Sequence, residues 1–166
     1  MIFENKGQIS AELLLILGLL ILVMMISLSF IASQNELTMA MTAARNGVNE
    51  GSLYTTGAIY PTDTYSDYSK QDTRLLIASS VEIVNISYVE EGYDSNYDKK
   101  KIQFKVYAHS SANLNKKELD SIGDRINYNL RKSVALTFES SKATNKLYNP
   151  VFSSHYVYTT ANVKWI

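Results

Sequence analysis

The chain has 166 residues, 16 positive and 16 negative side chains, no cysteine and 12 tyrosines. The even charge argues against a nucleic-acid surface, which needs a basic excess. The missing cysteine excludes a disulfide framework and a thiolate metal site, so packing must hold the fold. Setting aside an apolar N-terminus leaves roughly 110 to 120 residues, enough for one small domain with its own core. Tyrosine in this abundance suits surfaces that are half apolar and half wet.

The chain opens on Glu4 and Lys6, whose charges cancel, and then Gly7-Gln8-Ile9-Ser10-Ala11-Glu12. From Leu13 to Ala32 there is no charge and no proline. A helix of that length spans roughly 30 Å, the hydrocarbon thickness of a bilayer. Three ordinary readings compete. A buried core helix of this length usually carries a polar stripe. A secretory signal peptide has a basic start, a shorter apolar core and a small-residue cut site after it; here Ile31-Ala32-Ser33-Gln34 could supply one. A plain membrane anchor gains nothing from Glu12, because an acid near bilayer depth costs a few kcal/mol unless it is paired.

The order of parts points elsewhere. Gly7 followed by Gln8-x-Ser10-x-Glu12, at the head of a long apolar helix, resembles the class III signal of euryarchaeal type IV pilins, methanogen pilins above all. That pattern ends with a leucine four residues after the acid; here Ile16 stands there, between Leu15 and Leu17. The resemblance covers about a tenth of the chain and does not reach the globular part. It implies a cut after Gly7 by a dedicated prepilin peptidase that reads Lys6, Gly7 and Gln8. It implies a wait in the cytoplasmic membrane, and then assembly by a pilus ATPase and a membrane platform into a helical homopolymer. Gln8 would become the new N-terminus. Glu12 would face the amine of a neighbouring Gln8, with Ser10 beside it and Gly18 allowing close helix approach. The charge pairing also has a purely physical basis, since carboxylate and ammonium each cost less in low dielectric when they meet. The pair can form within one helix as well, at i and i+4.

Past the apolar run, Leu37, Met41, Ala44 and Val48 recur at helical spacing, with Thr38, Thr42, Arg45 and Asn49 off the stripe. The helix therefore continues and leans this stripe on the domain, ending near Gly47 and Gly51. Ser52 to Thr73, with Tyr54, Tyr60, Tyr65 and Tyr68 among turn formers, reads as a long surface loop. Leu75 to Ser80 is ambiguous between a helical turn and a strand. Val84, Ile86 and Tyr88 alternate with Asn85 and Ser87 as a strand, and Gly92 to Asp98 reads as a turn. Lys101 to His109 is the clearest strand, with Ile102, Phe104, Val106 and Ala108 on one face; together the two form an antiparallel hairpin. Asn115 to Phe138 is an amphipathic helix, capped by Asn115 with Glu118 three residues on, whose apolar face is Leu119, Ile122, Ile126, Leu130 and Val134. Ser140 to Pro150 connects to a last strand, Tyr156 to Ile166, with Val157, Thr159, Ala161, Val163 and Trp165 on one face.

Chemistry-bearing residues are sparse. His109 and His155 lack the spacing of a metal pair. There is no phosphate-binding glycine loop and no nucleophile elbow. Glu90-Glu91 reads as a solvated strand end, and Lys99-Lys100-Lys101 as an exposed turn. Asn85-Ile86-Ser87 is the one Asn-x-Ser/Thr sequon, a possible N-glycosylation site on the polar face of its strand.

The expected fold is therefore α+β. A leader (1–7) precedes a long hydrophobic, then amphipathic helix (8–51). A head (52–166) follows, built of a three- to four-stranded antiparallel sheet and one amphipathic helix. The expected function is a structural subunit, the major pilin of an archaeal surface filament, with no enzyme activity, metal or cofactor. The alternative is a membrane-anchored, minor pilin-like adhesion or binding protein.

Overall fold

A computed structural model describes residues 4–53, 81–111 and 113–166. The predicted loop at Ser52 to Thr73 and the ambiguous stretch at Leu75 to Ser80 fall largely or wholly outside these residues. The architecture is α+β: helix α1 (Glu4–Ser52), strands β1 (Val81–Asp94) and β2 (Lys99–Ser110), helix α2 (Lys116–Thr137), and strands β3 (Val151–Phe152), β4 (Tyr156–Thr160) and β5 (Lys164–Trp165). The chain divides into two compact units, Met1–Thr38 and Met39–Ile166, with α1 contributing to both.

The five-stranded sheet has the order β1-β2-β4-β3, with β5 also paired to β2. It is mixed, which corrects the expected antiparallel sheet. β1 and β2 are the antiparallel hairpin, but β4 and β5 both run parallel to β2. The reason is topological. The chain leaves the end of β2, returns through α2, and so re-enters the sheet in the same direction. β3 then folds back antiparallel to β4.

β2 is the central strand. Ile102, Phe104, Val106 and Ala108 are fully buried, while Lys101, Gln103, Lys105 and Tyr107 between them are half-buried. Burying each such large side chain stabilises by about 1.5–3 kcal/mol relative to leaving it exposed. On the same face the β4 register brings Tyr158 opposite Ile102. The Tyr158 ring stacks between Phe104, 5.7 Å away, and Phe138, 5.8 Å away.

The last strand is not one continuous ladder. β4 pairs with Lys100 to Phe104, β5 with Tyr107 and Ala108, and the chain steps off the sheet at 161–163. There Val163 turns inward and is buried against Gly123 of α2, where a Cβ would stand 3.3 Å from its own. Val163 therefore leaves the single-face alternation expected of this segment. Asn127, one turn along α2 from Gly123, donates to the Ala161 carbonyl at 2.9 Å and ties the step to the helix.

The hairpin turn is tighter than expected. β1 runs on through Gly92 to Asp94, and Gly92 (φ 90°) lies at a register shift rather than in the turn. The turn proper starts at Asp94, whose carboxylate accepts from the Asn96 amide at 3.0 Å. Asp98 leaves it at φ 55°.

α2 starts as its sequence predicts. The Asn115 side chain accepts from the Glu118 amide at 2.9 Å, and Glu118 returns a bond from the Asn115 amide at 2.7 Å, a capping box. Its burial exceeds one stripe: every residue from Ile126 to Leu130 is buried. The sheet covers one side. On the other, α1 crosses at backbone contact. A Cβ on Gly47 would stand 2.3 Å from the Asn129 carbonyl oxygen, and one on Gly51 would stand 2.8 Å from the Ile126 Cα. Arg125 Nε donates to the Gly51 carbonyl at 3.0 Å across the same contact. Gly51 does lie at the end of α1, as expected, but Gly47 is a turn inside it; both are there for close approach. Ala40, Ala43, Ala44 and Val48 complete the buried stripe, with Met41 half-buried.

The C-terminus of α2 closes with the Ser140 amide on the Ala135 carbonyl, 2.9 Å, and the Glu139 amide on that of Leu136, 3.2 Å, a Schellman pattern. Its left-handed position holds Glu139 at φ 53° instead of a glycine.

Two stability predictions follow from these contacts, read by denaturant unfolding of the detergent-solubilised chain through Trp165 fluorescence. Gly47→Ala lowers stability by about 1–3 kcal/mol, the range for overpacking, because the obstacle is backbone and cannot turn aside. Glu139→Gly raises it by about 0.5–1 kcal/mol by relieving the left-handed penalty.

Candidate functional site

The segment singled out by sequence is the head of α1. The helix is already formed at Glu4 and runs unbroken for 49 residues. Lys6, Gly7 and Gln8 thus lie in its first turns, with Gln8 and Glu12 one turn apart. Ser10 and Glu12 are exposed, and Glu12 engages in an interaction of its own within the chain. Gly18 is exposed, and a Cβ placed there would meet nothing within 4 Å.

Beyond Glu12 the helix presents apolar surface on every side. Sixteen large apolar side chains from Leu13 to Ile31 are exposed, from 47% at Leu20 to 75% at Leu15. No face is reserved for polar groups. Ser27 on this run, and Ser33 and Thr38 just past it, bond their hydroxyls back to the helix itself, whereas Ser29 makes no such bond among the described residues. Ser27 donates to the Val23 carbonyl at 2.8 Å, Ser33 to that of Phe30 at 2.8 Å, and Thr38 to that of Gln34 at 3.0 Å. In a medium without water an unbonded hydroxyl costs several kcal/mol, so the Ser27 back-bond suits such a medium. The helix is long and apolar enough to cross a membrane.

The domain offers no competing constellation among the described residues. No group of three or more His, Asp or Glu side chains is placed to hold a metal ion there. His109 and His155 are both exposed and serve the fold: His109 Nδ1 lies 2.6 Å from the Ile166 carbonyl oxygen, and the His155 carbonyl accepts from the Lys100 amide. A shallow groove of about 310 Å³ is lined by Glu50, Lys132, Ser133, Leu136 and Thr137, with no nucleophile–base pair. The whole predicted lysine turn, Lys99 and Lys100 included, lies within β2, and Lys101 is its third residue. Lys101 pairs with Glu91 at 2.9 Å, and the bond and charge of that carboxylate raise the lysine above its ordinary value. Asn85 is exposed on β1, as its alternation required.

Sequence reading missed the polar side chains that bind the domain together. Arg131 joins the connector to the sheet, donating to the Leu147 carbonyl at 3.1 Å and the Thr160 hydroxyl at 2.6 Å. Asn145 organises the connector by accepting from the Leu147 and Asn149 amides. Asn127 and Asn129 are buried inside α2. The detectable signal was the Gly47-x-x-x-Gly51 spacing on an apolar stripe, which marks a close helix crossing as readily as a helix end.

Comparison with protein-family models, with curated proteins and with solved structures found no match for this chain.

One titrating group in the domain is held away from its ordinary value at a cost. Burial pushes the Asp124 carboxyl above the usual carboxylate range; Arg131 opposes the rise and Asp120 adds to it. A raised carboxyl means that the folded chain holds its proton more tightly than the unfolded chain. Stability contributed at this site therefore falls as pH rises from the ordinary carboxylate value through the raised one. Asp124→Asn removes that fall: unfolding followed from pH 4 to 7 is less pH-dependent in the variant, which is the more stable of the two at pH 7.

Proposed function

We propose that the chain is a type IV pilin-like structural subunit, cut after Gly7, held in a membrane by α1 and packed into a filament through the same helix. The observation that carries the reading is the all-round apolar surface from Leu13 to Ile31. Covering sixteen such side chains is worth on the order of tens of kcal/mol, so the segment needs an apolar surrounding. A bilayer supplies one, and a bundle of identical helices supplies another. The domain at 39–166 has a closed core of its own and can be displayed while α1 is engaged.

Glu12 distinguishes this reading from a plain anchor. A carboxylate at the mouth of an apolar helix is costly in either surrounding unless it meets a positive charge. A cut after Gly7 creates such a charge at Gln8, and Glu12 then selects a neighbour whose amine arrives at the right depth. Gly18, with free space around it, supports close approach of that neighbour. Before the cut there is no amine at Gln8, so processing and assembly are linked.

The test is mass spectrometry of the N-terminal peptide from filaments sheared off intact cells. The expected peptide begins at Gln8 with its amine free, in stoichiometric amount; a pyroglutamate there would keep the processing but remove the charge that Glu12 is argued to meet. Recovery only in membranes, beginning at Met1, sinks the reading in favour of a membrane-anchored binding protein. Glu12→Gln leaves the processed protein in the membrane and abolishes filaments; a variant that still makes filaments at normal yield removes Glu12 from assembly.

A further inference from the structure

We propose that Asn85 is a glycan attachment site, the acceptor of an oligosaccharide from a polyprenyl-phosphate-linked donor. The inference rests on the reading above, in that the domain must lie outside the membrane to meet such a donor. Three observations support it, and two of them are independent of the sequon.

First, Asn85 and Ser87 are two residues apart on one strand and share its outer face, the first exposed and the second half-buried. They stand opposite Tyr107 and Lys105, on the sheet face away from the buried Phe104 and Val106. β1 is the outermost strand of the sheet order, so its far edge pairs with no described strand. The register shift between Ile83 and Asn85 leaves Val84 as an extra residue and loosens the ladder immediately before the acceptor.

Second, no contact among the described residues gives Asn85 a task in the fold. Asn115 caps α2, Asn127 holds the step before β5, Asn129 bonds back to the Arg125 carbonyl at 2.9 Å, and Asn145 organises the connector. The Asn85 carboxamide makes no hydrogen bond among the described residues, nor does the Ser87 hydroxyl. Third, asparagine is disfavoured inside strands, where β-branched and aromatic side chains pack better. A disfavoured residue that bonds to no described residue, inside a 14-residue strand, is a cost to the domain alone. A modification at that position accounts for it.

The chemistry is a glycosyl transfer without change of oxidation state. Asn85 Nδ2 attacks the anomeric carbon of the donor sugar and forms the N–C bond. The bond from that carbon to the donor phosphate oxygen breaks, its electron pair leaving with the phosphate, and Nδ2 gives up one proton, which passes through water to balance the charge of the departing phosphate. The Ser87 hydroxyl, on the same face and unbonded among the described residues, is the group by which a transferase recognises the acceptor.

The test uses the full chain made in its native cells, with two readouts: protease accessibility of the domain from outside, and the mass of the peptide containing Asn85. The expected result is an accessible domain whose Asn85 peptide carries added sugar mass. That mass is lost in Asn85→Gln and in Ser87→Ala and kept in Ser87→Thr. An accessible, processed protein with an unmodified Asn85 peptide overturns the proposal and leaves the pilin reading standing. A domain that protease cannot reach from outside overturns the assumed topology, and this proposal with it.

Discussion

The domain depends on one contact in which two helices meet without side chains between them. Gly47 and Gly51 let α1 lie directly on the backbone of α2 at Ile126 and Asn129. Small residues on the same stripe, Ala40, Ala43 and Ala44, keep that side of α1 narrow. Because α1 comes so near, α2 is covered on both sides, and consecutive residues from Ile126 to Leu130 can all be buried. Burial on both sides in turn explains the polar residues within α2. Asn127 and Asn129 sit where solvent is absent and spend their amide donors on backbone carbonyls. Among the described residues the Asn127 Oδ1 atom has no partner, a cost that the rest of the packing absorbs.

From α2 the arrangement propagates into the sheet. Gly123 admits Val163, Asn127 holds Ala161, and Arg131 holds Thr160 and Leu147. These three anchors along one helix fix where the last strand breaks and where the connector lies. The central strand β2 is thereby paired along both edges, by β1 on one side and by the divided β4 and β5 on the other.

Patterns confined to one element were readable from the residues alone. The alternation of Lys101 to His109, the Asn115–Glu118 cap and the apolar face of α2 need only local periodicity, and each holds, with Leu119 half-buried at its edge. What escaped were features that depend on a second element. Strand direction is set by the route through α2, not by the composition of β4. Gly47 has the same residue type whether it ends a helix or receives one, and only the partner decides. Val163 belongs to an alternating pattern until Gly123 offers it a place to turn in. The candidate site differs in kind. Its length, its lack of charge and the placing of Glu12 are all sequence properties, and the structure adds the even exposure of the run and the internal bond of Ser27.

The crossing of α1 and α2 also sets a timetable for folding. Gly47 and Gly51 emerge early in synthesis, but their partners at Ile126 to Leu130 come about eighty residues later. β2 likewise waits for strands at 156–165 before its second edge is paired. Neither long-range closure can occur while the chain is half made, so a vectorially delivered chain passes through a stage with an open sheet edge and a bare helix stripe. The domain closes only after nearly all of it has been delivered, and the slowest-forming contacts are the ones that hold it together.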